Sequence, residues 1–159
     1  MRKFPPLLFL LLSFGIANAA EVRVTGVNDV SLGEWGMNDA AVNAYMDMCI
    51  YSSGNSPSGS YGVKVTSNHG AYVLKKGADQ IAYTLFWEDS ATLGSNSGTQ
   101  LSYNSVLTAR RNANTNPLSQ LCLLVGNTAR LYIKIAKSQL EPAKAGEYTG
   151  VINIIVSNN

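Results

Sequence analysis

Apolar and polar positions alternate with a period of two along much of this chain. Between residues 81 and 87 the odd positions are Ile81, Tyr83, Leu85 and Trp87, with Ala82 and Thr84 among the positions between. Odd positions lead again at Leu131, Ile133 and Ile135, where polar Lys134 intervenes, and at Tyr61, Val63 and Val65. Toward the C-terminus the even positions Tyr148, Ile152, Ile154 and Val156 take over, with Gly150 among them. Successive side chains of a strand point to opposite faces, so these runs predict strands with one face in a core. β-branched and aromatic residues, which suit a pleated surface, dominate them.

Turn-rich spacers separate the runs at residues 52–59, 68–70, 76–79, 93–99 and 112–117. Their Gly, Asn, Ser and Pro residues accept positive φ or preset a turn. Seven or eight short strands at this spacing predict an all-β, sandwich-like domain. Helical structure is expected only as single turns, one within residues 39–46 and one at 138–140. No internal repeat and no domain boundary interrupts residues 20–159.

The first residues carry a different pattern. Arg2 and Lys3 precede an apolar run at 7–16, and Ala17-Asn18-Ala19 closes it with small residues. A basic start, an apolar stretch and small-x-small is the pattern of a cleavable secretory signal. The run is shorter than the ~20 residues of a spanning helix. Residues 1–19 therefore read as a signal peptide cleaved after Ala19, and residues 20–159 are expected to contain no integral membrane segment.

Export changes the charge. Of twelve basic residues Arg2 and Lys3 leave with the signal, and ten remain against ten acidic ones. A near-neutral product has no electrostatic pull on nucleic acid or anionic membranes. Export also bears on Cys49 and Cys122, the only cysteines. In an oxidising compartment they read as one disulfide, the other arrangement being two buried thiols. A bridge over that span contributes roughly 4 kcal/mol in the chain-entropy model.

Candidate chemistry is sparse. The single histidine, His69, sits in a turn without a nucleophile motif around it. Glu88 and Asp89 are adjacent, so on a strand they point apart and cannot converge on one substrate atom; they read as solvated strand-end charges. No catalytic residue, metal-ligand set or cofactor site is expected, and the protein does not read as an enzyme. The eight tyrosines raise a sugar-stacking surface as an alternative. Tyr61, Tyr83 and Tyr148 fall on apolar faces, which leaves Tyr51, Tyr72, Tyr103 and Tyr132 as the freer candidates.

Several segments, taken in order, resemble one family. Met48-Cys49-Ile50-Tyr51-Ser52-Ser53, a Gly/Ser turn and Tyr61-Gly62-Val63-Lys64-Val65 resemble the cysteine-then-Tyr-x-Val segment of the spore coat protein U domain family. That family includes subunits of archaic chaperone–usher pili. Val30-Ser31-Leu32-Gly33-Glu34-Trp35 is similar to its early strand, Tyr72-Val73-Leu74 to a short strand, and residues 81–89 to its Tyr-centred strand ending in Asp. Residues 129–135 resemble its penultimate strand, and 145–154 its closing Gly-x-Tyr segment, with Gly150 where Asp is common.

The resemblance implies an immunoglobulin-like β-sandwich over residues 20–159 that is incomplete, lacking its final strand. It implies partners as well: a periplasmic chaperone, an outer-membrane usher and other pilus or coat subunits. Such a subunit is secreted through the periplasm to the cell surface or a pilus. A strand from a neighbour would fill the open groove by donor-strand complementation, with backbone bonds for affinity and alternate side chains in pockets. Tyr148, Ile152, Ile154 and Val156 are the expected groove-lining last strand. Val22, Val24, Val30 and Leu32 share one face and serve either as a donor strand or as the domain's own first strand. The competing reading is a secreted adhesin or carbohydrate-binding module that folds alone.

Overall fold

The computed structural model describes residues 20–36, 39–54, 59–89, 94 and 98–158; the proposed signal at 1–19 lies outside them. Ten strands run in chain order. They are β1 (Glu21–Thr25), β2 (Val42–Ser53), β3 (Tyr61–Ser67), β4 (Val73–Lys76), β5 (Asp79–Ala82), β6 (Thr84–Glu88), β7 (Thr99–Gln100), β8 (Val106–Arg110), β9 (Ala129–Ile135) and β10 (Ile152–Ser157). A 3-10 turn at Pro117–Ser119 and one helical turn, α1 (Lys137–Leu140), complete the elements.

One sheet has the order β1-β2-β9-β6-β7 and the other β10-β3-β8, with β4 and β5 as a separate hairpin. Every strand pairing is antiparallel. An immunoglobulin sandwich pairs its strands as A-B-E-D and C-F-G. Here β1, β2, β9 and β6 stand as A, B, E and D, and β3 and β10 as C and F. The fold is an all-β, immunoglobulin-like sandwich. Among the described residues no strand occupies the G position beside β10.

Alternation builds the core. Leu85 and Trp87 from β6, Leu131 from β9, Met48 and Ile50 from β2, and Tyr61, Val63 and Val65 from β3 are fully buried. The Trp87 indole N–H donates across the two sheets to the Tyr61 hydroxyl at 3.0 Å, and their rings meet edge-on with centroids 6.4 Å apart.

Several expectations need correcting. Residues 39–46 hold no helical turn: β2 begins at Val42 and pairs in register with β9, from Val42 opposite Ile135 to Met48 opposite Ala129. The ladder with β9 overrides the weak local preference of Ala- and Asn-rich sequence. Glu88 is no solvated strand-end charge. It is 2% exposed, accepts from the Tyr132 hydroxyl at 2.8 Å and from the Gly94 backbone N–H at 3.0 Å.

Tyr148 is not part of β10. The preceding chain is held by the β4 hairpin instead, where Lys75 and Thr149 exchange both backbone bonds at 2.9 and 3.1 Å. Tyr51 and Tyr132, two of the expected freer tyrosines, are both buried.

Candidate functional site

The side of β10 that carries no strand among the described residues borders a cleft of about 460 Å³ between the two sheets. Ile152 and Ile154 of β10 line it together with Val30 and Leu32 from the N-terminal segment and Met46 and Ile133 from β2 and β9. Val65 and Val63, the β3 partners of Ile154 and Val156, are fully buried. The β10 residues at Ile152, Ile154 and Val156 are only half-buried, as expected for an edge strand whose inner face meets a gap. A row of unpaired backbone groups over apolar side chains is a template for strand addition.

The N-terminal part of this lining has a local cause. β1 lies along β2, with Val22 opposite Ser52 and Val24 opposite Ile50. At Gly26 the chain leaves that ladder through φ +80°, and a Cβ there would reach the Asp47 carbonyl and Met48 Cα at 3.5 Å. Beyond it, among the described residues, the backbone bonds to side chains: Asn28 N–H to Met46 Sδ at 3.2 Å and Gly33 N–H to Ser31 Oγ at 3.4 Å. Val30, Leu32 and Trp35 pack on the core without belonging to a strand.

The four residues grouped as one N-terminal face therefore divide. Val22 and Val24 sit within the β1–β2 ladder, and Val30 and Leu32 line the cleft. Of the four residues assigned to the last strand, Ile152 and Ile154 line the cleft, while Val156 packs on the core further along β10. Tyr148 packs elsewhere, its hydroxyl donating to the Lys144 carbonyl at 3.0 Å and its ring 5.6 Å beneath Lys76 Nζ.

Tyr83 also lines the cleft, in the single-residue gap between β5 and β6. Its ring stacks on Tyr72 at 5.7 Å, and Tyr72 meets Tyr103 edge-on at 5.3 Å. Burial, and then the neighbouring tyrosines, push the hydroxyls of Tyr83 and Tyr72 up to about 12. Both are neutral at physiological pH.

Cys49 on β2 and Cys122 form a disulfide, with Cα atoms 5.7 Å apart. It fastens the loop at residues 112–128, which is stitched to β2 by backbone bonds of Asn114 to Ile50 and Ser52 at 2.8 and 2.9 Å. This ordered loop holds Leu118, Leu123 and Leu124 outward at 92, 82 and 77% exposure. Period-two alternation gives no hint of these exposed leucines. The available signal is a run without a charged residue from Asn112 to Ala129, with four leucines in it.

Elsewhere the polar groups are structural. Arg130 grips the Asp47 carboxylate, one contact at 2.7 Å, and lies 4.0 Å over the exposed Tyr45 ring. His69 Nε2 lies 3.3 Å from the Thr149 carbonyl oxygen. No group of three or more His, Cys, Asp or Glu able to hold a metal occurs among the described residues. No helix among them is long and apolar enough to cross a membrane.

Comparison with solved structures places this fold. The chain is similar to a chain of the chaperone–tip adhesin complex of CFA/I fimbriae at TM-score 0.59 and 19% identity, over 87% of this chain and 41% of that one. It is similar to a mutant of CfaE, the CFA/I adhesin of enterotoxigenic E. coli, at TM-score 0.51 and 18% identity, over 75% of this chain and 36% of that one. A third likeness, to the CsuC–CsuE chaperone–tip subunit pre-assembly complex of Acinetobacter baumannii Csu pili, has TM-score 0.48 and 19% identity over 87% of this chain and 40% of that one; it is too distant to bear weight. No protein-family model matches the chain, and no curated protein matches it. At these identities the likeness is one of fold alone, and this chain spans well under half the length of each neighbour.

Proposed function

We propose that residues 20–159 form an exported structural subunit of a chaperone–usher-type surface pilus or coat, whose cleft accepts a strand from another chain. The observation that carries this reading is the unpaired edge of β10 above the apolar cleft. Insertion there would complete the C-F-G sheet and cover Ile152 and Ile154. The motif resemblance to spore coat protein U domains and the fold likeness to adhesin chains of CFA/I fimbriae support the same reading.

In this reading the partners are a periplasmic chaperone, an outer-membrane usher and further subunits, and residues 1–19 are the export signal. The Cys49–Cys122 bridge suits an oxidising periplasm. The pairing of β1 with β2 supports Val22 and Val24 as the domain's own first strand. The role is structural, not enzymatic.

The test is expression of residues 20–159 in a periplasm with and without a chaperone encoded beside the gene. Soluble, folded chain only with the chaperone, bound to it, is the expected result. A cooperatively folding monomer without chaperone or peptide would overturn the proposal.

That outcome would instead favour a self-folding secreted adhesin, the reading to which the exposed leucines at 118–124 lend support. A carbohydrate module is less well served, since Tyr51 and Tyr132 are buried.

A further inference from the structure

We propose that the loop at residues 112–128 is a lipid-insertion tip, whose outward leucines enter the apolar zone of a bilayer surface.

The loop turns Leu118, Leu123 and Leu124 almost wholly to solvent, and Leu121 and Val125 beside them are more than half exposed. Single exposed apolar residues are ordinary, whereas five within the eight positions 118–125 form a patch. Their common direction follows from the residues that point the other way. Ser119 and Cys122 are buried. Cys122 is tied to Cys49, and the Ser119 carbonyl accepts from the Asn114 side-chain amide. None of the five outward residues lines the cleft, so the patch is separate from the surface proposed to accept a strand.

Backbone donors at the tip are spent within the loop. Leu118 N–H donates to Asn116 Oδ1 at 2.9 Å and Leu124 N–H to Ser119 Oγ at 3.2 Å. Val125 and Gly126 both donate to the Cys122 carbonyl, at 3.3 and 2.9 Å. Hydrocarbon offers no partner to a backbone group, so a segment entering it has to satisfy its own. The side chains agree: from Asn112 to Ala129 there is no charged and no aromatic residue.

That composition separates lipid from protein as the occupant. Protein-binding hot spots are built from Trp, Tyr and Arg, with Leu under-represented, and their anchors fill matched pockets. Protein interfaces also carry about one hydrogen bond per 100–200 Å², for which this tip has few donors left. Leucines at near-full exposure stand apart from one another, and a fluid bilayer closes round them without a matching shape. Interfacial insertion scales with the apolar area buried. With no cation in the loop, attraction to anionic headgroups adds nothing, and the binding is insensitive to salt.

The experiment mixes residues 20–159, carrying the chaperone proposed above where the chain requires it, with phosphatidylcholine vesicles at low and high salt. Chaperone alone is the blank. Binding at both salt concentrations is expected. Leu118→Ser, Leu123→Ser and Leu124→Ser together should weaken it about a hundredfold, with the circular dichroism unchanged. In Leu123→Trp the added fluorescence should move to the blue on binding and be quenched by lipids brominated along their acyl chains.

Absence of vesicle binding, equal binding by the triple variant, an unquenched Leu123→Trp, or binding confined to anionic vesicles at low salt overturns the proposal. So does a dimer of the parent that disperses in the triple variant without any vesicle binding, which assigns the patch to a second copy of the chain. None of these outcomes touches the strand-acceptor reading of the cleft.

Discussion

The indole N–H of Trp87 and the hydroxyl of Tyr61 meet at 3.0 Å, and neither residue has any exposed surface. The contact ties β6 of one sheet to β3 of the other in the middle of the core. Tyr61→Phe removes the acceptor and leaves the indole N–H buried. A loss of about 1–3 kcal/mol is expected, read as a lower denaturation midpoint with an unchanged denaturant slope.

Alkaline pH should destabilise the fold in a defined window. Burial raises the hydroxyls of Tyr72 and Tyr83 to about 12, and that of Tyr61 further still. An unfolded tyrosine ionises near 10. The folded state therefore holds protons that the unfolded state releases, and stability falls as pH rises from about 10 toward 12. Below pH 10 these groups contribute no slope. Denaturation midpoints across this range, with tyrosinate absorbance monitored alongside, check the sign.

Cys49 and Cys122 are 3% and 4% exposed, so reductant should attack the native bridge slowly and the unfolded chain quickly. The Cys49→Ala, Cys122→Ala double variant is expected to lose roughly 2–4 kcal/mol. Thermal melts of this variant against the oxidised parent measure it.

Deleting residues 20–25 removes the strand that pairs from Glu21 opposite Ser53 to Thr25 opposite Cys49. The truncated chain should fail to accumulate in soluble form even beside the chaperone proposed above. Normal folding with loss only of assembly would show instead that this segment acts between subunits.

Leu118, Leu123 and Leu124 project into solvent, so their replacement by Ser should change stability by less than about 0.5 kcal/mol each. Binding of a hydrophobic dye, and adsorption to apolar beads, should fall sharply in the triple variant. Retained dye binding would point to the cleft as the main apolar surface.

The parts of the fold legible in the sequence are those where one face is dry and the other wet. β3, β6 and β9 announce themselves through Val63, Leu85 and Leu131 because alternation survives wherever burial is one-sided. β2 is obscure at residues 39–46, where Ala44 and Asn43 carry little hydrophobic contrast and the pairing with β9 decides the outcome. The burial of Glu88 is invisible locally because it depends on Tyr132, a residue 44 positions away. The cleft is half visible. Ile152 and Ile154 stand out by period, whereas the N-terminal part of the lining arises from a turn at Gly26 that carries Val30 and Leu32 away from the β1 ladder. Tyr83 reads as a core residue, and nothing in its neighbours along the chain tells that its hydroxyl has no hydrogen-bond partner among the described residues.

The place of β10 in the sheet has a consequence in time. β3 lies between β10 and β8, so the small sheet is complete on that side only after Ile152 reaches Ser67 and Val156 reaches Val63. This is a non-local contact made by the C-terminal strand of the small sheet, and such contacts form slowly. Until then β3 is itself an open edge, and afterwards β10 takes over that exposure. The period of vulnerability is thus set by how long the chain takes to bring Ile152–Ser157 back onto β3, a delay that grows with the length of sequence between them.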